Sequence, residues 1–176
     1  MNTINPGRPA PDEYFTYYGQ YINRVPEGDI VNLLTHQLET TNALLAPLST
    51  VQVNFRPKPD DWNILEVLGH VTDAERVFAY RALCIARNDQ TPLPSFDQDL
   101  YVATANFAQR PLADLLDEFA LVRRATLFLL RTFDEAAWLR KGVASDNPIS
   151  TRALAYIIAG HELHHLLDFQ QRYNVG

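Results

Sequence analysis

The sequence predicts an all-α fold, a bundle of four main helices, and three observations lead there. Four stretches place apolar residues at three- and four-residue intervals, the period of an amphipathic helix. Prolines and polar loops fall between these stretches, and no segment shows the alternation of a half-buried strand. The chain has 176 residues, 47% of them hydrophobic; a chain of this length buries about 70% of its extended surface and is expected to form a single domain, residues 1–176.

Residues 1–28 carry Pro6, Pro9, Pro11 and Pro26 among Tyr14, Tyr17, Tyr18 and Tyr21. Prolines so spaced resist a long helix, and the tyrosines favour packing on the body, so an N-terminal arm with one short helix is expected. Helix one runs from Asp29 to about Ser49, with Ile30, Leu33, Leu34, Leu38, Thr41, Leu45 and Leu48 on its stripe and His36 off it. After Pro57 and Pro59, Asn63 and Glu66 form a capping-box signature, so helix two spans about Asn63 to Arg87, with apolar residues on several sides. Residues 88–110 read as a long connection holding Pro92 and Pro94. Pro111 suits the first turn of helix three, whose stripe is Leu112, Leu115, Leu116, Phe119, Val122, Thr126, Leu127 and Leu130, ending near Phe133. A short helix from Asp134 to about Arg140 stops at Gly142, and a loop leads to helix four, capped by Ser150 and running to Tyr173.

Composition excludes several roles. Fifteen basic against 21 acidic residues give a net charge of −6, and no Lys/Arg run occurs, which argues against a nucleic-acid partner. The single cysteine, Cys84, cannot form an internal disulfide and fits a reducing compartment. The first residues lack the apolar core of a signal peptide, and no run approaches the ~18 apolar residues of a membrane span. A cytoplasmic protein with no membrane partner is expected.

The chemistry concentrates on two helices. Leu154, Ile157, Ile158, His161, His165 and Asp168 share one stripe of helix four, and the i, i+4 spacing lets two imidazoles aim at one atom. On helix two, Glu66, His70, Asp73, Ala74, Val77, Arg81 and Cys84 form a polar strip on an otherwise buried helix; such groups need partners, and a metal would supply one for His70. The ordinary readings stand beside this: Glu66 as a capping residue, Asp73 and Arg81 as a buried ion pair or as groups serving a ligand or substrate, Cys84 as a small apolar residue. His70 lies near the start of helix two and His165 near the end of helix four, so antiparallel neighbours bring them level. A simple up-down-up-down bundle would offset them by about 9 Å, whereas the long 88–110 segment permits a crossover giving up-down-down-up order.

With these residues assembled, the chain resembles the DinB-like (DinB/YfiT) superfamily over nearly its whole length. The matching stretches are WNILEVLGHVTDAERVFAYRAL, PSFDQDLYV and STRALAYIIAGHELHHLLDFQQRY. The resemblance implies an up-down-down-up four-helix bundle, often a homodimer, holding a divalent metal on three histidines, here His70, His161 and His165. Some members are S-transferases for low-molecular-weight thiols and others are isomerases. Three imidazoles leave a coordination position open, as in a catalytic zinc site; Zn²⁺ or Ni²⁺ suits them, and Fe²⁺ is a third option. Such an ion activates a thiol or water for attack on an electrophilic small molecule, so a metal-dependent thiol transferase or hydrolase is expected, with a non-catalytic metal- or ligand-binding protein as the alternative. The candidate catalytic groups are Asp73 and His164. Asp73 or Asp168 could orient a ligand imidazole, while His164, turned away from His165, either flanks the pocket as an acid/base group or packs. Phe96 and the arm tyrosines are candidate walls, with Arg81 available for an anionic group.

Overall fold

The computed structural model describes residues 4–175; the first three residues of the expected arm, and residue 176, lie outside the described residues. In chain order it contains α1 (Gly19–Ile22), α2 (Ile30–Leu45), α3 (Thr50–Val53), α4 (Ile64–Ala86), α5 (Gln98–Ala105), α6 (Leu112–Leu130), α7 (Glu135–Leu139), β1 (Lys141–Ala144), β2 (Asn147–Ser150) and α8 (Thr151–Arg172). Three of the four long helices begin where the capping chemistry places them. Asp29 accepts from the Asn32 amide at 2.8 Å, Asn63 and Glu66 close a reciprocal box at 3.0 and 2.8 Å, and Ser150 accepts from Ala153 at 3.1 Å. Pro111 stands at the cap position, one residue ahead of α6.

Side-chain bonds fix the directions. Tyr173, just past α8, donates to the Trp62 carbonyl just before α4, while Arg140, whose carbonyl accepts from the first amide of α8, reaches Ala86 at the end of α4. α4 and α8 are therefore antiparallel. Gln37 and Thr41 of α2 bond Ala159 and Glu162 of α8 in ascending order, so those two run parallel. Phe107, ahead of α6, sits on Gly69 near the start of α4, and Phe133, after α6, lies under Arg87 at its end, so α4 and α6 also run parallel. The order is up-down-down-up. Among the described residues, no helix is long and apolar enough to cross a membrane.

The structure departs from the sequence reading in the connections. The loop expected after Gly142 is a two-stranded hairpin, β1 pairing antiparallel with β2 from Lys141–Ser150 to Ala144–Asn147. Four-residue strands holding Gly142 and Pro148 are too short to show alternation. The turn uses Ser145 and Asp146, both at positive φ (52° and 61°), where the usual signal is Asn-Gly or Asp-Gly. The 88–110 connection is not bare either: Asp97 caps α5 by accepting from Asp99 and Leu100, both at 3.0 Å, and a 3-10 turn follows at Phe107–Gln109. The arm holds two 3-10 turns besides α1.

One position on α6 changes the account of the core. Val122 is only half-buried, and the residue that turns fully inward is Arg123, 0% exposed. Its guanidinium bonds Glu75 of α4 at 2.8–3.1 Å, Glu162 of α8 at 2.7 Å and the Leu34 carbonyl of α2 at 3.0 Å. Thr41 of α2 donates to the other Glu162 oxygen at 2.5 Å. Burial pushes the Glu162 carboxyl upward, and Arg123 and Thr41 oppose that shift. Arg123→Met leaves two carboxylates facing each other in the core and is expected to cost about 3–5 kcal/mol, the loss typical when one partner of a buried ion pair is removed. Denaturant unfolding measures it.

Candidate metal centre

α4 and α8 deliver three imidazoles to one point. The Nε2 of His161 stands 3.1 Å from that of His70 and 3.2 Å from that of His165. His70 is a turn and a half into α4; His161 and His165 share a face of α8, and the antiparallel packing levels them. Gly69, adjacent to His70, gives room for the Phe107 ring, which a Cβ would meet at 2.4 Å. On the other side Gly160, adjacent to His161, lets the arm approach: a Cβ there would stand 2.1 Å from the Tyr21 carbonyl oxygen. Gly160 is thus the bed of α1.

The arm is fastened to α8. Glu13, 4% exposed, receives Arg152 through both carboxylate oxygens, and the same guanidinium donates to the Pro6 carbonyl at 2.9 Å. Arg152 and the surrounding bonds hold the Glu13 carboxyl at about 2 despite its burial. Arg8 closes the arm on itself by donating to the Ile22 and Val25 carbonyls. The result is a Tyr21 ring set edge-on to His161 at 5.2 Å and 88°. Phe78 also meets His161, and Trp62 lies 5.0 Å from His70.

The fit to a cation follows from the donor set. A neutral imidazole nitrogen is either a donor or an acceptor with one in-plane lone pair, so one His161 Nε2 cannot serve two neighbouring Nε2 atoms well. A cation satisfies all three lone pairs together. With imidazole–metal bonds of about 2.0–2.1 Å, the two separations subtend roughly 100° at a common centre, between octahedral and tetrahedral angles. Burial keeps the rings neutral: His70 is held down to about 4 by burial, with His164 adding, and His161 and His165 are pushed well below their ordinary value by burial and by the neighbouring imidazoles.

The other candidates fall elsewhere. Asp73 is held by Arg76 at 2.9 Å, which turns on to Glu118 of α6 at 2.6 Å, and it lines neither cavity at the histidines. It does not pair with Arg81, which instead donates to the Pro94 carbonyl and the Ser145 hydroxyl. Glu66 is the capping residue and also meets Arg56. His164 lies against Tyr21 at 5.5 Å and faces Asp168 at 3.8 Å. His164, His165 and Asp168 form a second cluster of metal-ligand type, but Arg172 already stands 3.7 Å from that carboxylate and repels a cation. Among the described residues, neither Asp73 nor Asp168 accepts a hydrogen bond from His70, His161 or His165, so aromatic packing sets those rings. Tyr21, Trp62 and Phe78 do this work; the sequence offered only their aromatic character as a signal. His36 is exposed beside Glu39.

Two cavities reach the histidines. One, of about 180 Å³, is lined by His70 and His161 together with Tyr17, Tyr18, Tyr21, Phe78, Phe96 and Ser145. The other, of about 330 Å³, meets His165 and is polar, with Asp60, Asp61, Asp99, Asp168 and Arg172. In the aromatic cavity the Tyr17 and Tyr21 hydroxyls lie 3.2 Å apart, and burial, followed by that bond, pushes the Tyr21 phenol upward, keeping its proton.

A family model described as the DinB superfamily matches residues 33–168, well over half of the chain. The chain belongs to the DinB superfamily. Among solved structures, YfiT from Bacillus subtilis, described as a probable metal-dependent hydrolase with an unusual four-helix bundle topology, superposes with a TM-score of 0.68 at 13% identity, covering 97% of this chain and 95% of that one. At that identity the likeness concerns the fold, a four-helix bundle. No curated protein sequence matches.

The lowered imidazoles set a pH dependence for the metal-free protein. Between the unfolded histidine value near 6.5 and about 4 for His70, the unfolded chain binds a proton that the folded His70 ring refuses, so this ring's contribution to stability falls as pH falls through that window and levels below it, and the lowered His161 and His165 rings act in the same direction. The expected slope is about 1.4 kcal/mol per pH unit for each ring that stays neutral. Denaturant unfolding of chelator-treated protein across this range, compared with His70→Gln, should show a shallower slope in the variant.

Proposed function

We propose that this DinB protein is a divalent-metal-dependent enzyme acting on an electrophilic small molecule, as a hydrolase or as a thiol S-transferase. The observation that carries the reading is the convergence of three neutral Nε2 atoms, 3.1 and 3.2 Å apart, with one cavity reaching His70 and His161 and another reaching His165. His70, His161 and His165 would hold the ion, with Zn²⁺ or Ni²⁺ best suited to imidazoles and Fe²⁺ as a third option. When bound, such an ion acts as a Lewis acid that makes water or a thiol nucleophilic near neutral pH. The description of YfiT as a probable metal-dependent hydrolase supports the same reading.

The chain's own residues supply the rest. Burial keeps the imidazoles unprotonated and excludes bulk water, which strengthens any charge interaction at the site. Tyr21, Phe78 and Trp62 brace the rings, so little reorganisation accompanies binding. The Tyr17–Tyr21 hydroxyl pair faces the aromatic cavity and can donate a hydrogen bond to an oxygen that gains charge there. His164, partly exposed and next to Asp168, is the nearest group able to exchange protons with solvent.

Protein purified without a His tag is expected to carry about one equivalent of divalent metal, as three converging imidazoles require, and His161→Ala is expected to lose it. Elemental analysis decides. Against a panel of reactive esters, amides and alkylating electrophiles, with and without small thiols, chelation should lower the rate on the order of a hundredfold or more, as several kcal/mol of Lewis-acid stabilisation requires. Metal binding without any metal-dependent rate would establish the non-catalytic alternative, and thiol incorporation into product separates transferase from hydrolase.

A further inference from the structure

We propose that the cavity beside Arg81, on the outer side of α4, is a binding site for a small apolar carboxylate, separate from the histidine centre. The argument starts from two buried arginines with unlike surroundings. Arg123, 0% exposed, faces the carboxylates of Glu75 and Glu162. Arg81, 2% exposed, pairs with no carboxylate among the described residues. Its Nη2 donates to the Pro94 carbonyl at 2.6 Å and the Ser145 hydroxyl at 3.1 Å, while Nε and Nη1 have no acceptor among the described residues. The Phe78 and Phe96 rings each lie 5.8 Å from the guanidinium carbon.

A buried ion without a counter-charge costs several kcal/mol, and two neutral oxygens with two ring faces offset only part of that. Arg81 lines a cavity of about 290 Å³ together with Val77, Tyr80, Leu93, Pro94, Phe96 and Tyr101. Arg76 stands at the same cavity, but Asp73 and Glu118 already neutralise it. One uncompensated positive charge on apolar walls matches a monoanion with an apolar body. A phosphate dianion would bring more charge than Arg81 balances and would leave its remaining oxygens against hydrocarbon.

The site does not depend on the metal reading. None of His70, His161 and His165 lines this cavity, although Phe78, 5.8 Å from the Arg81 guanidinium carbon, also lies 6.2 Å from His161. Ser95 and Phe96 line both this cavity and the aromatic one.

The test titrates the full-length protein by calorimetry with phenylpropionate and with its neutral amide. The acid is expected to bind at least about tenfold tighter than the amide, the discrimination a charge-assisted hydrogen bond supplies. Arg81→Gln should erase that preference. Val77→Trp, which keeps Arg81 and fills the cavity, should abolish binding of both, and it decides the matter if Arg81→Gln does not fold. His161→Ala, which removes a candidate metal ligand, should leave binding of the acid unchanged. Equal affinity for acid and amide, a preference retained in Arg81→Gln, binding retained in Val77→Trp, loss of acid binding in a folded His161→Ala, or no saturable binding to the unsubstituted protein overturns the proposal. A finding that the protein holds no metal would sink the histidine reading alone.

Discussion

A single guanidinium touches all four long helices. Arg123 projects from α6 and bonds α2, α4 and α8 at once, and Thr41 returns from α2 to brace the far oxygen of Glu162. Apolar contacts alone are tolerant of sliding and rotation, because one methyl group packs much like another. A planar donor with fixed N–H directions is not, so this cluster selects one set of heights and rotations for the bundle. The consequence reaches the histidines through chain adjacency. His161 and Glu162 are neighbours, about 100° apart around α8, so fixing the carboxylate toward Arg123 points the imidazole at α4.

The aromatic cavity is a junction of three parts that lie outside the four long helices. The arm contributes Tyr17, Tyr18 and Tyr21, the crossover contributes Phe96, and the hairpin turn contributes Ser145. Two small residues, Gly69 and Gly160, let Phe107 and the Tyr21 backbone approach immediately beside two of the three histidines. Rigid helices hold the donor atoms, while connections shape what can approach them. This division explains how one bundle can serve different substrates, since the connections can change with little effect on the ligand geometry.

The helices and the His161–His165 pair were legible in the residues because both depend on period and spacing, whereas joining His70 to that pair as a ligand set rested on the family resemblance. The capping box at Asn63 and Glu66, the i, i+4 pair on α8 and the length of the 88–110 segment each carry a direct geometric meaning. What escaped depends on position in space. Arg123 lies one residue from Val122, and the apolar stripe was drawn through the valine because periodicity cannot tell which neighbour finds two carboxylates from distant helices. The hairpin escaped because Ser-Asp is a weak type I′ signal and its strands hold Gly142 and Pro148. Asp73 and Arg81, for which an ion pair was one of two readings, do not pair because Arg76, three residues from Asp73, takes that carboxylate.

The clasp of Glu13 on Arg152 joins points 139 residues apart. A ribosome delivers the arm long before α8, so the aromatic wall has nothing to rest on until α8 has emerged. His161 and His165 emerge with that same helix. The arrival of α8 therefore brings the second and third imidazoles and seats their cover in one step, and a chain arrested before it exposes neither an assembled centre nor a finished cavity.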